Sequence, residues 1–180
     1  FILRFKMNLG RQKWTPIGNE TNRFNGTFDG SGYIIEGLNV DTTGNVGLFG
    51  YTDSNSTILN LGITCNCTIT GVGNVGSISG YNKGYITLCF NKGVILSGTN
   101  CGGISGINTG TIECCYNIGS IENATICAGG IVGSSFGIVR DCYNVGSITS
   151  NIAGGIVGIR DNISDIENCY YTSSNSSLLG

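Results

Sequence analysis

Cys89, Cys115, Cys142 and Cys169 recur at intervals of 26, 27 and 27 residues. Each of the middle two opens the same phrase, CYNIGSI at 115–121 and CYNVGSI at 142–148, and a looser copy, CFNKGVI, stands at 89–95. A fixed period of this length marks a repeat architecture, in which one unit cannot bury its apolar face alone and must stack on its neighbours. Aligning 111–117, 138–144 and 165–171 gives an isoleucine column of Ile35, Ile58, Ile86, Ile112, Val139 and Ile166. Three residues on, a second column reads Leu38, Leu61, Cys89, Cys115, Cys142 and Cys169. Between them fall NVGLFG at 45–50, GSISG at 76–80, GGISG at 102–106, and GGIVG at 129–133 and 154–158.

The repeat unit is read as strands. The chain has 31 glycines in 180 residues, and each glycine inside a helix costs about 1 kcal/mol relative to alanine. Short runs of Ile, Val, Thr and Tyr between Gly and Asn fit strands and turns instead. The expected fold is all-β: a single-domain parallel β-helix (β-solenoid) over 1–180, with about 26–27 residues per rung and roughly six rungs. Residues 1–50 form the less regular rungs, with WTPIG and GTFDGSG, and 51–180 the regular ones. Right-handed winding is expected, because parallel crossovers are overwhelmingly right-handed.

Alternation within a rung divides inside from outside. Cys142, Asn144, Gly146 and Ile148 fall on one face, Tyr143, Val145, Ser147 and Thr149 on the other. Ile148 and Cys142 mark the first face as interior. Asn91, Asn117 and Asn144 then form an internal ladder whose amides bond along the axis, as stacked Asn does in cross-β arrays.

The motifs WTPIGN (14–19), FNGTFDGSGYIIEGL (24–38), NVGLFGY (45–51) and the GGIVG and CYN repeats resemble, in that order, the GLUG-motif family of bacterial and protist surface proteins. The resemblance covers nearly the whole chain. It implies a secreted or surface-displayed β-solenoid of adhesin-like type, extracellular or at the cell surface, with no shared enzymatic activity. The family commonly has an acidic strand before WTPIG and a further rung before that. Here FILRFKMNL takes that place, which implies an amino-terminal end that is open or completed by another chain. The chain opens directly on this segment, so any secretory signal is expected to have been removed or to lie elsewhere.

Nine cysteines are present. The column at 89, 115, 142 and 169 reads as buried thiols, because in-register neighbours are about 4.8 Å apart while a disulfide needs Cβ atoms about 3.8 Å apart. Cys101 and Cys127, near equivalent turns but one position out of register, are the candidate disulfide. Sequons stand at Asn19, Asn25, Asn55, Asn66, Asn123, Asn162 and Asn175, candidate N-glycosylation sites if the source organism modifies extracellular asparagine.

No catalytic residue is assigned. Histidine is absent, so a His-based triad is excluded, and no phosphate-binding loop or zinc knuckle occurs. No metal site or cofactor is expected. A column Glu36, Leu59, Thr87, Glu113, Arg140, Glu167 reads either as a charge-alternating ladder or, with Arg140 as base, as a lyase-like site. No run of 18 apolar residues suggests a membrane span, and no basic run suggests nucleic acid. Three functions follow. The first is a non-enzymatic structural protein, a segment or subunit of a surface fibre or filament that stacks head-to-tail as a homopolymer. The second is an adhesin module recognising glycans through the outward column Phe90, Tyr116, Tyr143 and Tyr170. The third is a polysaccharide-active β-helix enzyme.

Overall fold

The computed structural model describes residues 1–172 and 177–179. Among these there is no helix, and strands of successive coils pair in parallel. One coil shows the path. Thr111–Glu113 lies in a six-stranded first sheet and Tyr116–Asn117 in a seven-stranded second sheet. Ile121–Gly129 then joins a twelve-stranded third sheet, which the chain re-enters at Val132–Ser135 after a bend at Gly130 and Ile131. Ile138–Arg140 returns to the first sheet one coil further on, in register with Thr111–Glu113. The chain is thus a β-solenoid of about six turns.

Like sits over like inside the stack. Phe28, Ile58, Ile86, Ile112, Val139 and Ile166 form one column in the first sheet. Val40, Ile69, Ile95, Ile121 and Ile148 form another in the third. At the corner between the first and second sheets, the carbonyls of Leu61, Cys89, Cys115 and Cys142 each accept from the coil below: Phe90 N–H to Leu61 O, Tyr116 N–H to Cys89 O, Tyr143 N–H to Cys115 O and Tyr170 N–H to Cys142 O. Cys142, Asn144, Gly146 and Ile148 are buried, while Tyr143, Val145, Ser147 and Thr149 are exposed.

The first rungs are displaced from the sequence alignment. Phe28, not Ile35, stands over Ile58 in the first sheet. Ile35 belongs to the second sheet and pairs with Ile63. Leu38 sits over Cys67, whose Sγ accepts the Leu38 N–H at 3.3 Å, and so does not head the cysteine column. Glu36 pairs with Asn8, and Asp29 takes its expected place above Leu59. The cause is coil length. The step from Phe28 to Ile58 is 30 residues and from Ile58 to Ile86 is 28, so a 27-residue register drifts out of phase toward the amino terminus.

Residues 1–24 lie across the top as a further coil. Ile2 bridges Asp29, Met7–Asn8 pairs with Ile35 and Glu36, Lys13 bridges Asn39, Ile17 bridges Phe49 and Phe24 bridges Thr52.

The turn from the first sheet to the second has one conformation in five successive coils. Asn60, Leu88, Cys114, Asp141 and Asn168 all have φ between 49° and 54°. This left-handed conformation suits Asn and Asp, whose short polar side chains bond locally, and costs other side chains about 1–2 kcal/mol. Leu88 and Cys114 occupy it all the same.

Candidate functional site

Asparagine ladders run down the interior. Asn91 Nδ2 donates to Asn117 Oδ1 at 2.8 Å, and Asn117 Nδ2 donates to Asn144 Oδ1 at 2.9 Å. Each amide also closes a local loop with the glycine two residues on. Asn117 Nδ2 donates to Gly119 O at 3.0 Å and Asn117 Oδ1 accepts from Gly119 N–H at 3.2 Å. A second ladder, Thr52–Asn82–Asn108, repeats this arrangement at the opposite corner of the coil: Thr52 Oγ1 and Asn108 Oδ1 each lie 2.8 Å from the Asn82 amide. A third, Asn45–Asn74–Asn100, has 2.7 Å steps and is partly exposed. Sequence reasoning found only the first. The signal for the second was the spacing Asn-x-Gly, present at Asn82 and Asn108 as well as at Asn91, Asn117 and Asn144.

The cysteines are all free thiols. Cys101 and Cys127 form no disulfide. They lie on strands rather than at turns, and the pairing sets Cys127 beside Asn100 and Cys101 beside Ala128. Cys127 Sγ donates to Asn100 Oδ1 and to Gly133 O, both at 3.1 Å. Burial pushes the Cys101 thiol up to about 12 and the Cys127 thiol up to about 11. In the cysteine column, burial holds Cys115 well above the usual thiol range. These groups are not poised as nucleophiles, which need an accessible thiolate.

On the outer face of the first sheet, Arg140 Nη2 and Nε contact Glu113 Oε2 at 2.5 and 2.6 Å. The Tyr85 hydroxyl donates to the other oxygen, Oε1. Arg140 is thereby held in its charged form, its hydrogen bond to Glu113 raising its pKa. Glu113 has both oxygens committed, and Arg140 is an unsuitable base. Glu167 pairs with Arg140 one coil below. Among the described residues no group of three or more Cys, Asp or Glu side chains is arranged to hold a metal ion.

The aromatic column is on the outer face of the second sheet. Phe90 and Tyr116 stack at 4.9 Å and 7°, Tyr116 and Tyr143 at 4.8 Å and 4°. A Cβ on Gly62 would strike the Phe90 ring, and the Lys92 ammonium lies 5.3 Å above that ring. Phe90 and Tyr116 therefore have both faces covered and present edges outward, whereas Tyr170 at the foot of the column is exposed and stacks on no ring among the described residues. A sugar-stacking platform needs an open face. Ile118 and Val145, two residues beyond Tyr116 and Tyr143, continue this exposed apolar surface.

The upper end of the stack is an apolar cavity of about 320 Å³ lined by Phe1, Met7, Trp14, Ile17, Phe24, Phe28, Ile35 and Leu48. Trp14 donates its Nε1–H to Leu48 O at 3.1 Å, which fixes the indole against the wall. Among the sequons, Asn19, Asn25, Asn55, Asn123 and Asn162 are exposed. Asn66 is half-buried, its Oδ1 accepting from Thr64 Oγ1 at 2.6 Å and Gly37 N–H at 3.1 Å. Asn175 lies outside the described residues.

No family model matches the chain. Over 84 residues it is 39% identical to the "Putative Gly-rich membrane protein" of Evansella cellulosilytica, a stretch covering 44% of this chain and 10% of that protein. Over 87 residues it is 42% identical to the "Halomucin" of Haloquadratum walsbyi, covering 47% of this chain and 1% of that protein. The chain thus spans a small part of either relative's length. Among solved structures it is similar to the crystal structure of "a putative immunoglobulin A1 protease" from Bacteroides ovatus, with a TM-score of 0.66 and 20% identity over the whole of this chain and 70% of that one. At that identity the likeness shows the fold alone. The chain is a β-solenoid similar in sequence to segments of much longer proteins, one of them named a Gly-rich membrane protein.

Proposed function

We propose that the chain is a non-enzymatic structural segment of an extracellular or cell-surface protein, and that copies of it stack head-to-tail into a fibre. The observation that carries this reading is the commitment of the polar interior to the stack. Each Asn amide in the buried ladder bonds to the coil above or below, and the column that holds the ladder runs on to Met7 at the top and Tyr171 at the bottom, so the interior is organised coil upon coil along the axis. The apolar cavity at the upper end supports the same reading, because it is a surface another coil would cover. Sequence likeness to long proteins, one named a Gly-rich membrane protein, supports surface display. Membership of the GLUG-motif family belongs to this reading and rests on the motifs themselves. The exposed sequons at Asn19, Asn25, Asn55, Asn123 and Asn162 would carry glycans on outer turns, whereas Asn66 is held by its own hydrogen bonds.

The adhesin reading is narrowed to the foot of the aromatic column, since Phe90 and Tyr116 offer sugars only ring edges and Tyr170 alone stacks on no ring. The enzyme reading has Glu113 and Arg140 bound to each other. Negative-stain electron microscopy of the purified chain tests the proposal. Filaments one solenoid wide are expected, and monodisperse particles at high concentration would contradict it.

A further inference from the structure

The two ends of the stack differ in charge. The top coil carries Arg4, Lys6, Arg11, Lys13 and Arg23 against a single acid, Glu20. Arg23 is turned inward, over the Tyr51 ring and 3.8 Å from Asp53; Arg4, Lys6, Arg11 and Lys13 are exposed, Lys6 in an ion pair with Glu36 at 3.2 Å. The last coil carries Asp161, Asp165 and Glu167 against Arg160, and the three acids are exposed. Five of the nine cations in the chain thus stand in the first 25 residues, an uneven distribution that the net charge of −2 conceals.

The columns also match in kind. Met7 heads the interior column that passes through Ile35, Ile63, Asn91, Asn117 and Asn144 and ends at Tyr171. Phe1 stacks on Phe28 at 5.0 Å, at the head of the column that ends at Ile166. Placing a second copy one strand spacing, about 4.8 Å, from the first sets Ile166 and Tyr171 of one copy against the cavity floored by Phe28 and Met7 of the next. The same placement brings Lys6 level with Tyr170, which is exposed and whose ring no partner in the described stack covers. Lys92 already sits in this way over Phe90. Arg4 falls two residues beyond Ile2, on the side of Glu167.

Resting on the stacking reading above, we infer that the partner of the basic top coil is the acidic last coil of a second copy, and that charge sets both the polarity and the salt sensitivity of the assembly. Opposite charge at the two ends favours top-to-bottom contact, while top-to-top and bottom-to-bottom contacts set like charges together. A heterologous contact of this kind does not close and propagates as a filament.

Two charge-reversed forms of the full chain test the inference by sedimentation velocity. One carries Arg4→Glu, Lys6→Glu, Arg11→Glu and Lys13→Glu; the other carries Asp161→Lys, Asp165→Lys and Glu167→Lys. All seven positions are exposed, and a circular dichroism spectrum matching the unaltered chain verifies the fold of each form. The unaltered chain is expected to associate, and to do so roughly tenfold more weakly at high salt than at low salt. Each altered form alone is expected to lose association by a similar factor, and an equimolar mixture to regain it as an alternating polymer. Association of either altered form at the unaltered strength would overturn the charge inference and leave stacking intact. So would a mixture that fails to regain association. A chain that does not associate at any salt concentration would overturn both.

Discussion

Asn117 donates to Asn144 at 2.9 Å through the nitrogen that also donates to Gly119, and its oxygen accepts from Asn91 and from Gly119. One buried amide therefore satisfies two coils and its own turn. The arrangement repeats because the Asn-x-Gly spacing brings the glycine N–H and C=O back onto the same side chain, and glycine leaves room for the coil above. A Cβ on Gly119 would strike Gly93 O.

Replacing Asn117 with leucine, a residue of similar size, strands the Asn91 donor and the Gly119 backbone groups in a dry interior. Each such group costs about 1–3 kcal/mol, so a loss of about 3–5 kcal/mol is expected, read as a fall in the urea midpoint. Asn74 in the partly exposed ladder is the comparison: Asn74→Ala should cost less than about 1.5 kcal/mol, because water can replace the lost partner. Equal losses at the two sites would refute this account of the ladders.

Leu88 is 55% exposed and has φ of +52°, so its side chain contributes little packing while its backbone is strained. Leu88→Asn matches the residue type at Asn60 and Asn168 in the same column. It should raise stability by about 0.5–1 kcal/mol, part of the left-handed penalty, seen as a higher melting temperature. A lower one would show that the leucine packs more than its exposure suggests.

The thiols should divide by burial. Cys65 and Cys114 are exposed and should react with a thiol reagent in the folded chain, Cys114 the more slowly because burial and the neighbouring Glu113 raise its pKa. All nine should react after unfolding. The same groups set an alkaline limit. The folded pKa of Cys101 is raised to about 12 and that of Cys127 to about 11, from 9.0. Above pH 9 the unfolded chain releases these protons and the folded chain keeps them. Their contribution is therefore complete below pH 9 and is lost as pH rises toward 11 and 12. Each thiol should remove about 1.4 kcal/mol per pH unit in that window. Stability unchanged from pH 8 to 11 would contradict the buried-thiol assignment.

Much of the architecture was legible because identical coils write a period into the sequence. Cys115 and Cys142 share a position, and the intervals that connect such residues measure the coil directly. The amino-terminal coils escape the alignment because they are three and one residues longer than the 27-residue period, which shifts the assignments toward the amino terminus, so that Ile35 and Glu36 fall in a column occupied by Phe28 and Asp29. The Cys101–Cys127 pairing failed for a related reason. Sequence spacing brings the two close, but a parallel register offset by one sends Cys127 to Asn100. The left-handed corner was hidden because its column, Asn60, Leu88, Cys114, Asp141 and Asn168, shares a backbone angle and no side-chain chemistry. The stacking of the aromatic rings on one another was equally invisible. Spacing predicts the column at Phe90, Tyr116 and Tyr143, while ring orientation follows from packing.

The axial repeat of the assembled chain, measured by cryo-electron microscopy, tests the central claim. The seven-stranded second sheet spans the stack, so continuous stacking at about 4.8 Å per coil gives a subunit repeat of roughly 34 Å with the strand spacing unbroken across the junction. A repeat that is not a whole number of coil spacings, or particles that never join, would contradict it.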